Sequence, residues 1–340
     1  MKLIMPAYCD GFRCSADRCS DNCCIGWEID IDEKTAAFYD GIGGSFGTRL
    51  RESIAHGECS SFILKGERCP FLNEKNLCDI IINLGEEHLC QICTDHPRYY
   101  EWFGNIKEGG IGLCCEEAAG LILTAENPAE LRETDDGEEG EDDEPDEELF
   151  SLLYDARRFI FSVLMRERCS IRERVAELLS FSEQLQINID NYKDSLPEDY
   201  EVITAAEGDM LSVLKSLTAL EPIDEKWTAY LDKSIAGYRK TQIKDGITPY
   251  LRNLLIYYIY RYFLKGTFDG EILSKVKLAC VSTAVISYLV SREGADLTET
   301  VNICKLFSKQ TEYSQENIDL LSEMFYEKEF YKSEKIIGLF

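Results

Sequence analysis

Twelve cysteines fall within the first 115 residues of this 340-residue chain, and only Cys169, Cys280 and Cys304 lie beyond them. The stretch FRCSADRCSDNCCIGW alone holds Cys14, Cys19, Cys23 and Cys24, with Cys9 just upstream. In an oxidising compartment such a cluster would be a disulfide framework. In a reducing cytosol it is metal binding or redox chemistry. The opening MKLIMPAYCDGF lacks an apolar stretch of signal-peptide length. The apolar run 251–264 carries Arg252 and Arg261 and is too short to span a bilayer. A cytoplasmic protein is therefore expected, and the thiols are read as ligands. Soft sulfur donors select zinc or iron–sulfur clusters, and only three histidines are present, His56, His88 and His96.

Spacing narrows the sharing of these thiols. The pattern is C-x4-C-x3-C-C over 14–24, then Cys59, C-x8-C over 69–78, C-x2-C over 90–93, and the pair Cys114–Cys115. Adjacent residues on a helix do not face each other, so Cys23 and Cys24 should point to different places, as should Cys114 and Cys115. Cys90 and Cys93 can share one face of a helical turn. No zinc-ribbon pair has the C-x4-C-x3-C spacing. Cys169, Cys280 and Cys304 sit in or beside apolar helical patterns and are expected to be small buried hydrophobes.

The net charge of −27 disfavours both a nucleic-acid partner and an anionic membrane surface. Twelve of the negative charges lie in one run, Glu133 to Glu148, which contains no base. It is expected to be a disordered or extended linker. Before it, Trp27, Ile29 and Ile31 alternate like a short strand, with Trp27 expected to pack over the cysteine loop. Asp32 or Asp30 is placed to cap a helix through Tyr39. A helical turn is expected before Pro97, and a helix in LCCEEAAGLILTAEN. After the run, helical spacing dominates. DEELFSLLYDARRFIFSVLMRER has apolar residues from Leu149 to Val163 at helical spacing, and the next helix opens at Ser170 with a capping box to Glu173. Further helices are expected near 200–219, 224–239, 247–265, 271–292, 297–311 and 314–326. LRNLLIYYIYRYFLKG should be a central buried helix, its tyrosines packing the core. No Gly-rich turn followed by alternating strands and helices marks a Rossmann site. The expected fold is mainly α: a cysteine-rich loop/helix metal-binding domain over 1–130, a linker over 131–148 and an all-α helical domain over 149–340.

The motifs FRCSADRCSDNCCIGWEIDID, RCPFLNEKNLC, LGEEHLCQICTDHPRYY and LCCEEAAGLIL, in this order, closely resemble the flagellin lysine N-methylase family. YSQENIDLLSEMF near the C-terminus resembles a further block of it. The cysteine region is also similar to zinc- or iron-chelating cysteine-cluster domains. The resemblance implies methylation of lysine on flagellin, S-adenosylmethionine as methyl donor, and a 4Fe–4S cluster, with zinc as the alternative metal. Cys14, Cys19, Cys23, Cys24, Cys69, Cys78, Cys93 and Cys115 stand at the motif positions. Cys90, Cys114 and Glu116 depart from the family pattern, so Cys93 and Cys115 are preferred to Cys90 and Cys114. Methyl transfer needs a neutral amine, and His96, Tyr99, Glu101, Glu116 and Glu117 are the candidate polar groups near the thiols. Arg98 is a candidate for the carboxylate of S-adenosylmethionine. The other readings are a non-catalytic zinc or iron module and a thiol redox sensor.

Overall fold

A computed structural model of the chain describes every residue except 21, 27, 58, 138–144 and 194. The expected packing of Trp27 therefore lies outside the described residues. The strands are β1 (Lys2–Pro6), β2 (Asp30–Ile31), β3 (Ile54–Ala55), β4 (Ser60–Phe62), β5 (Arg98–Phe103), β6 (Ile106–Ile111) and β7 (Leu131–Asp135). They form a four-stranded sheet, β5-β6-β1-β7, and a three-stranded sheet, β2-β4-β3. The loop/helix expectation for the N-terminal region is corrected by these sheets. Their strands are two to six residues long, too short for an alternating pattern to stand out. What holds them is pairing between distant segments: β1 runs parallel to β6 and antiparallel to β7.

The chain divides into two compact units. The first comprises Met1–Phe12, Tyr100–Cys114 and Ala118–Phe340. The second comprises Arg13–Tyr99 with Cys115–Glu117. This division follows the strand pairing and runs along different lines from a boundary at residue 130. The acidic run begins as strand, because Glu133 and Asp135 lie on β7 opposite Ile4 and Lys2. Seven of its residues, 138–144, are outside the described residues.

The second unit holds α1 (Glu33–Asp40), α2 (Gly44–Glu52), α3 (Asp79–Leu84) and α4 (Gln91–Asp95). The Asp32 carboxylate caps α1, accepting from Thr35 N–H at 2.9 Å. Ile29, Ile31, Tyr39, Leu50, Phe62, Phe71 and Ile80 form its core, with Cys69 and Cys90 buried among them. Removing these side chains from water is what a small unit with such short strands depends on.

The first unit holds α5 (Glu116–Thr124, whose first two residues belong to the second unit), α6 (Glu147–Leu164) and α7 (Ile171–Asp190). α8 (Met210–Ser216), α9 (Glu225–Ala236), α10 (Thr248–Tyr262) and α11 (Gly266–Asp269) follow. The chain continues with α12 (Ile272–Glu293), α13 (Leu297–Glu312), α14 (Gln315–Glu327) and α15 (Ser333–Ile337). From residue 149 onward no strand occurs among the described residues. Ser170 and Glu173 form the expected capping box of α7. α10 is buried almost all round, as its apolar pattern requires. α12 is long and apolar enough to cross a membrane, but 89% of its apolar window is buried inside the protein, as in a core helix. Cys280 on α12 and Cys304 on α13 are fully buried, while Cys169 is half-buried.

One helix is shorter than its pattern suggests. Residues 200–209 are not helical, and α8 starts at Met210. Their N–H groups bond elsewhere: Ile203 to the Ser180 hydroxyl at 2.8 Å, Ala206 to the Glu334 carbonyl at 2.8 Å. The Asp209 carboxylate then caps α8 through Ser212 N–H at 3.0 Å.

Candidate functional site

The second unit gathers five thiols. The strip Cys24–Gly26 pairs with Glu67–Cys69, the Cys69 N–H donating to the Cys24 carbonyl at 2.9 Å and Gly26 N–H to Glu67 at 2.8 Å. Cys69 then leads through Pro70 and Phe71 into a tight excursion that returns at Cys78, with Leu72 bridged to Cys78. Arg49 holds both ends of this excursion, donating to the Pro70 carbonyl at 2.6 Å and the Asp79 carboxylate at 2.7 Å. Cys90 precedes α4, and its sulfur lies 3.3 Å from that of Cys93 one turn on. Cys24, Cys78 and Cys93 all pack on the core that contains Cys69 and Cys90.

Electrostatics record the crowding. Contact with the neighbouring Cys23 thiol, then burial, pushes Cys24 up, with Cys69 and Cys78 adding to it. Contact with Cys90, then burial, pushes Cys93 up, with Cys24 and Cys69 adding. Burial pushes Cys69 to about 11 and also raises Cys78. Cys90 is lowered, first by its sulfur contact with Cys93. Backbone N–H groups counter the crowding: those of Phe71 and Leu72 face Cys69, and those of Ile80 and Ile81 face Cys78. N–H groups turned on sulfur favour the thiolate, the form that binds metal. Several thiolates side by side repel one another, and a cation in their midst would remove that cost.

The donor set therefore fits a soft, thiophilic metal in kind. Among the described residues no three His, Cys, Asp or Glu side chains are drawn together in ligand geometry. The structure does not separate Cys90 from Cys93 as sequence comparison does, since Cys90 is 1% exposed and faces its partner directly. Cys14 is exposed, Cys19 half-buried at the end of a short 3-10 turn, Cys23 exposed beside Cys24, and Cys115 half-buried ahead of α5. Cys114 is buried, in the first unit.

The polar candidates are dispersed. Glu116 accepts the Ser20 N–H at 2.9 Å and also the Ser20 hydroxyl. Glu101 pairs with Lys265 at 2.5 Å. His96 ends α4, while Arg98 and Tyr99 lie half-buried on β5, Arg98 donating to the Thr94 carbonyl at 3.4 Å.

A second constellation stands in the first unit, where only core packing was expected. The Glu312 carboxylate, 2% exposed, receives Arg261 at 2.7 Å, Tyr257 OH at 2.8 Å and Tyr262 OH at 3.1 Å. The α10 segment IYYIYRYF has the polar groups for this, but nothing in the sequence pairs them with a glutamate fifty residues away.

Residues 157–339, more than half of the chain, match the FliB lysine N-methylase C-terminal domain. The chain belongs to this lysine N-methylase family. Among similar proteins, the flagellar biosynthetic protein FliU of Salmonella muenchen is 31% identical over 129 residues, 35% of this chain and 75% of that protein. The lysine-N-methylases of Salmonella typhimurium and Salmonella choleraesuis are each 30% identical over 137 residues, 38% of this chain. The match covers only 34% of the length of those two methylases. No solved structure matches the chain.

Proposed function

We propose that this protein is a cytoplasmic protein-lysine N-methyltransferase that acts on flagellin with S-adenosylmethionine and holds an iron–sulfur cluster, 4Fe–4S being the expected form. The observation that carries the reading is the gathering of Cys24, Cys69, Cys78, Cys90 and Cys93 in one core, in a chain of the lysine N-methylase family. The names of its relatives, a lysine-N-methylase and a flagellar biosynthetic protein, support the activity and the substrate.

S-adenosylmethionine supplies an activated methyl group. The chain must present the lysine ε-nitrogen uncharged, because the ammonium has no lone pair to offer. Burial beside neutral or paired groups lowers an amine's affinity for its proton. Four of the five thiols Cys24, Cys69, Cys78, Cys90 and Cys93 would hold the cluster, and Arg49 fixes the loop that presents Cys69 and Cys78. Arg98 is the proposed partner of the methyl donor's carboxylate.

The test is to incubate reduced, iron-loaded protein with S-adenosylmethionine and flagellin and weigh the flagellin. Mass should rise in single-methyl steps, with fragmentation placing the methyls on lysine. A charge-sensitive gel would miss the change, since methylation keeps the lysine charge. If the protein neither methylates flagellin nor binds S-adenosylmethionine, the catalytic reading fails and the thiols are those of a metal-binding module. Zinc without sulfide would decide the metal against iron–sulfur.

A further inference from the structure

Glu312, the last residue of α13, presents its carboxylate to one face of α10. Tyr257 and Arg261 stand one turn apart there, and Tyr258 and Tyr262 likewise. All three donors, from Arg261, Tyr257 and Tyr262, converge on Oε2. Oε1 is buried and has no hydrogen-bond partner. The Tyr258 ring meets Tyr257 edge-on at 5.1 Å between centroids and stacks on Tyr262 at 6.4 Å. Cys114, Cys304, Lys309 and Tyr313 are the other titratable groups nearby, and the Tyr258 hydroxyl, close to Ser282, is like Oε1 buried without a hydrogen-bond partner.

This asymmetry has a chemical consequence. A buried carboxylate oxygen left bare is costly, so the site calls for one more donor. An anion brings only acceptor atoms to Oε1 and no donor. A metal ion would find a single oxygen with a guanidinium beside it, which is no cation site. A ligand with an N–H and an alkyl body meets both needs, the carboxylate taking the N–H and the tyrosine rings packing the alkyl part and any methyl groups on nitrogen.

The geometry points to this cluster as an amine-binding subsite, in which a lysine side chain donates an N–H to Glu312 Oε1 among Tyr257, Tyr258 and Tyr262. The choice of lysine among amines rests on the methyltransferase reading above. Glu312 and Arg261 neutralise each other, so the buried site favours the uncharged amine, the form that methyl transfer requires. Arg261 acts as a positioning residue, keeping Oε2 occupied and Oε1 turned to the ligand.

The experiment uses the full chain and Nα-acetyl-Nε-methyl-lysine methylamide as probe, read by saturation-transfer NMR. Saturation of tyrosine ring protons should reach the probe's ε-methylene and N-methyl protons. The signal should vanish when the tyrosine rings are deuterated, and Nα-acetyl-norleucine methylamide, which lacks the amine, should give none. Glu312→Gln should weaken probe binding and lower flagellin methylation by about tenfold to a hundredfold, the scale for one hydrogen bond to a charged group. If that variant does not fold, the deuteration and norleucine comparisons on the unaltered chain decide. No transfer to the probe, or equal transfer to the norleucine compound, would mean that Oε1 meets an ordered water only, and would overturn the subsite. Methylation undiminished in a folded Glu312→Gln protein would overturn it too, leaving the methyltransferase reading intact. Probe binding without any flagellin methylation would sink that reading and keep the amine site.

Discussion

Arg157 on α6 and Glu108 on β6 face each other through two contacts, 2.6 Å and 2.5 Å, with both side chains almost wholly out of water. The guanidinium also lies 5.1 Å from the centre of the Tyr260 ring. Tyr260 in turn donates to the Ile4 and Gly109 carbonyls, so one buried polar chain ties the sheet to α6 and α10. Removing one member leaves an uncompensated buried charge, at a cost of about 3–5 kcal/mol. Arg157→Met should therefore shift the urea midpoint strongly, and Arg157→Met with Glu108→Leu should recover most of the loss. A double variant as unstable as the single one would show that the pair contributes more than charge neutrality.

Metal content should follow the thiols that the fold brings together. Cys24→Ala, Cys69→Ala and Cys78→Ala should each lower iron and acid-labile sulfide in anaerobically prepared protein. Cys280→Ala should not, since Cys280 is fully buried in α12. Because Cys90 and Cys93 are side by side, either single change should lower iron less than the double change. Unaltered iron after losing Cys24, Cys69 and Cys78 together would refute the ligand set.

Arg49 holds the Cys69–Cys78 excursion from outside the thiol group. Arg49→Lys can keep one of its two contacts, since a lysine cannot reproduce the planar fork. We expect iron to be retained but released faster to a chelator, and Arg49→Ala to release it faster still. Equal release rates in all three proteins would show that the loop holds its own shape.

Asp32 joins two helices, one oxygen taking Thr35 N–H and the other Gln91 N–H, each at 2.9 Å. Burial alone would raise its pKa, but the N–H groups of Gln91 and Thr35 outweigh it and hold it below the ordinary value. The stability this contributes is fully present above about pH 4 and fades as pH falls through the depressed native value. Asp32→Ala should cost about 1 kcal/mol at neutral pH, the usual worth of a cap. The gap between the two proteins should close under acid, and a constant gap down to pH 2 would count against this role for the carboxylate.

Gly338 lies against the segment that was expected to be helical. A Cβ there would overlap the Ala206 carbonyl and stand 2.6 Å from the Gly208 nitrogen. Gly338→Ala should destabilise the protein by about 1–3 kcal/mol through overpacking, visible as a lower thermal midpoint. No change in midpoint would mean that the 200–209 segment yields freely.

Local rules were enough wherever the responsible groups lie within a few residues of each other. Asp32 capping α1, the Ser170–Glu173 box and the buried face of α10 depend on spacings of three and four, which any helix imposes. The soft, sulfur-only character of the candidate metal site follows from the cysteine count and the scarcity of histidine. Tertiary structure decided what depends on distant pairings. β1 finds β6 and β7 more than a hundred residues on, and no periodicity in a five-residue strand announces it. Cys24 reaches Cys69 because two unrelated loops pair, and Tyr257, Arg261 and Tyr262 meet Glu312 because α10 and α13 pack. Residue types and short spacings state what a side chain can do; which groups it does it with depends on chain closure over long separations, which local sequence does not encode.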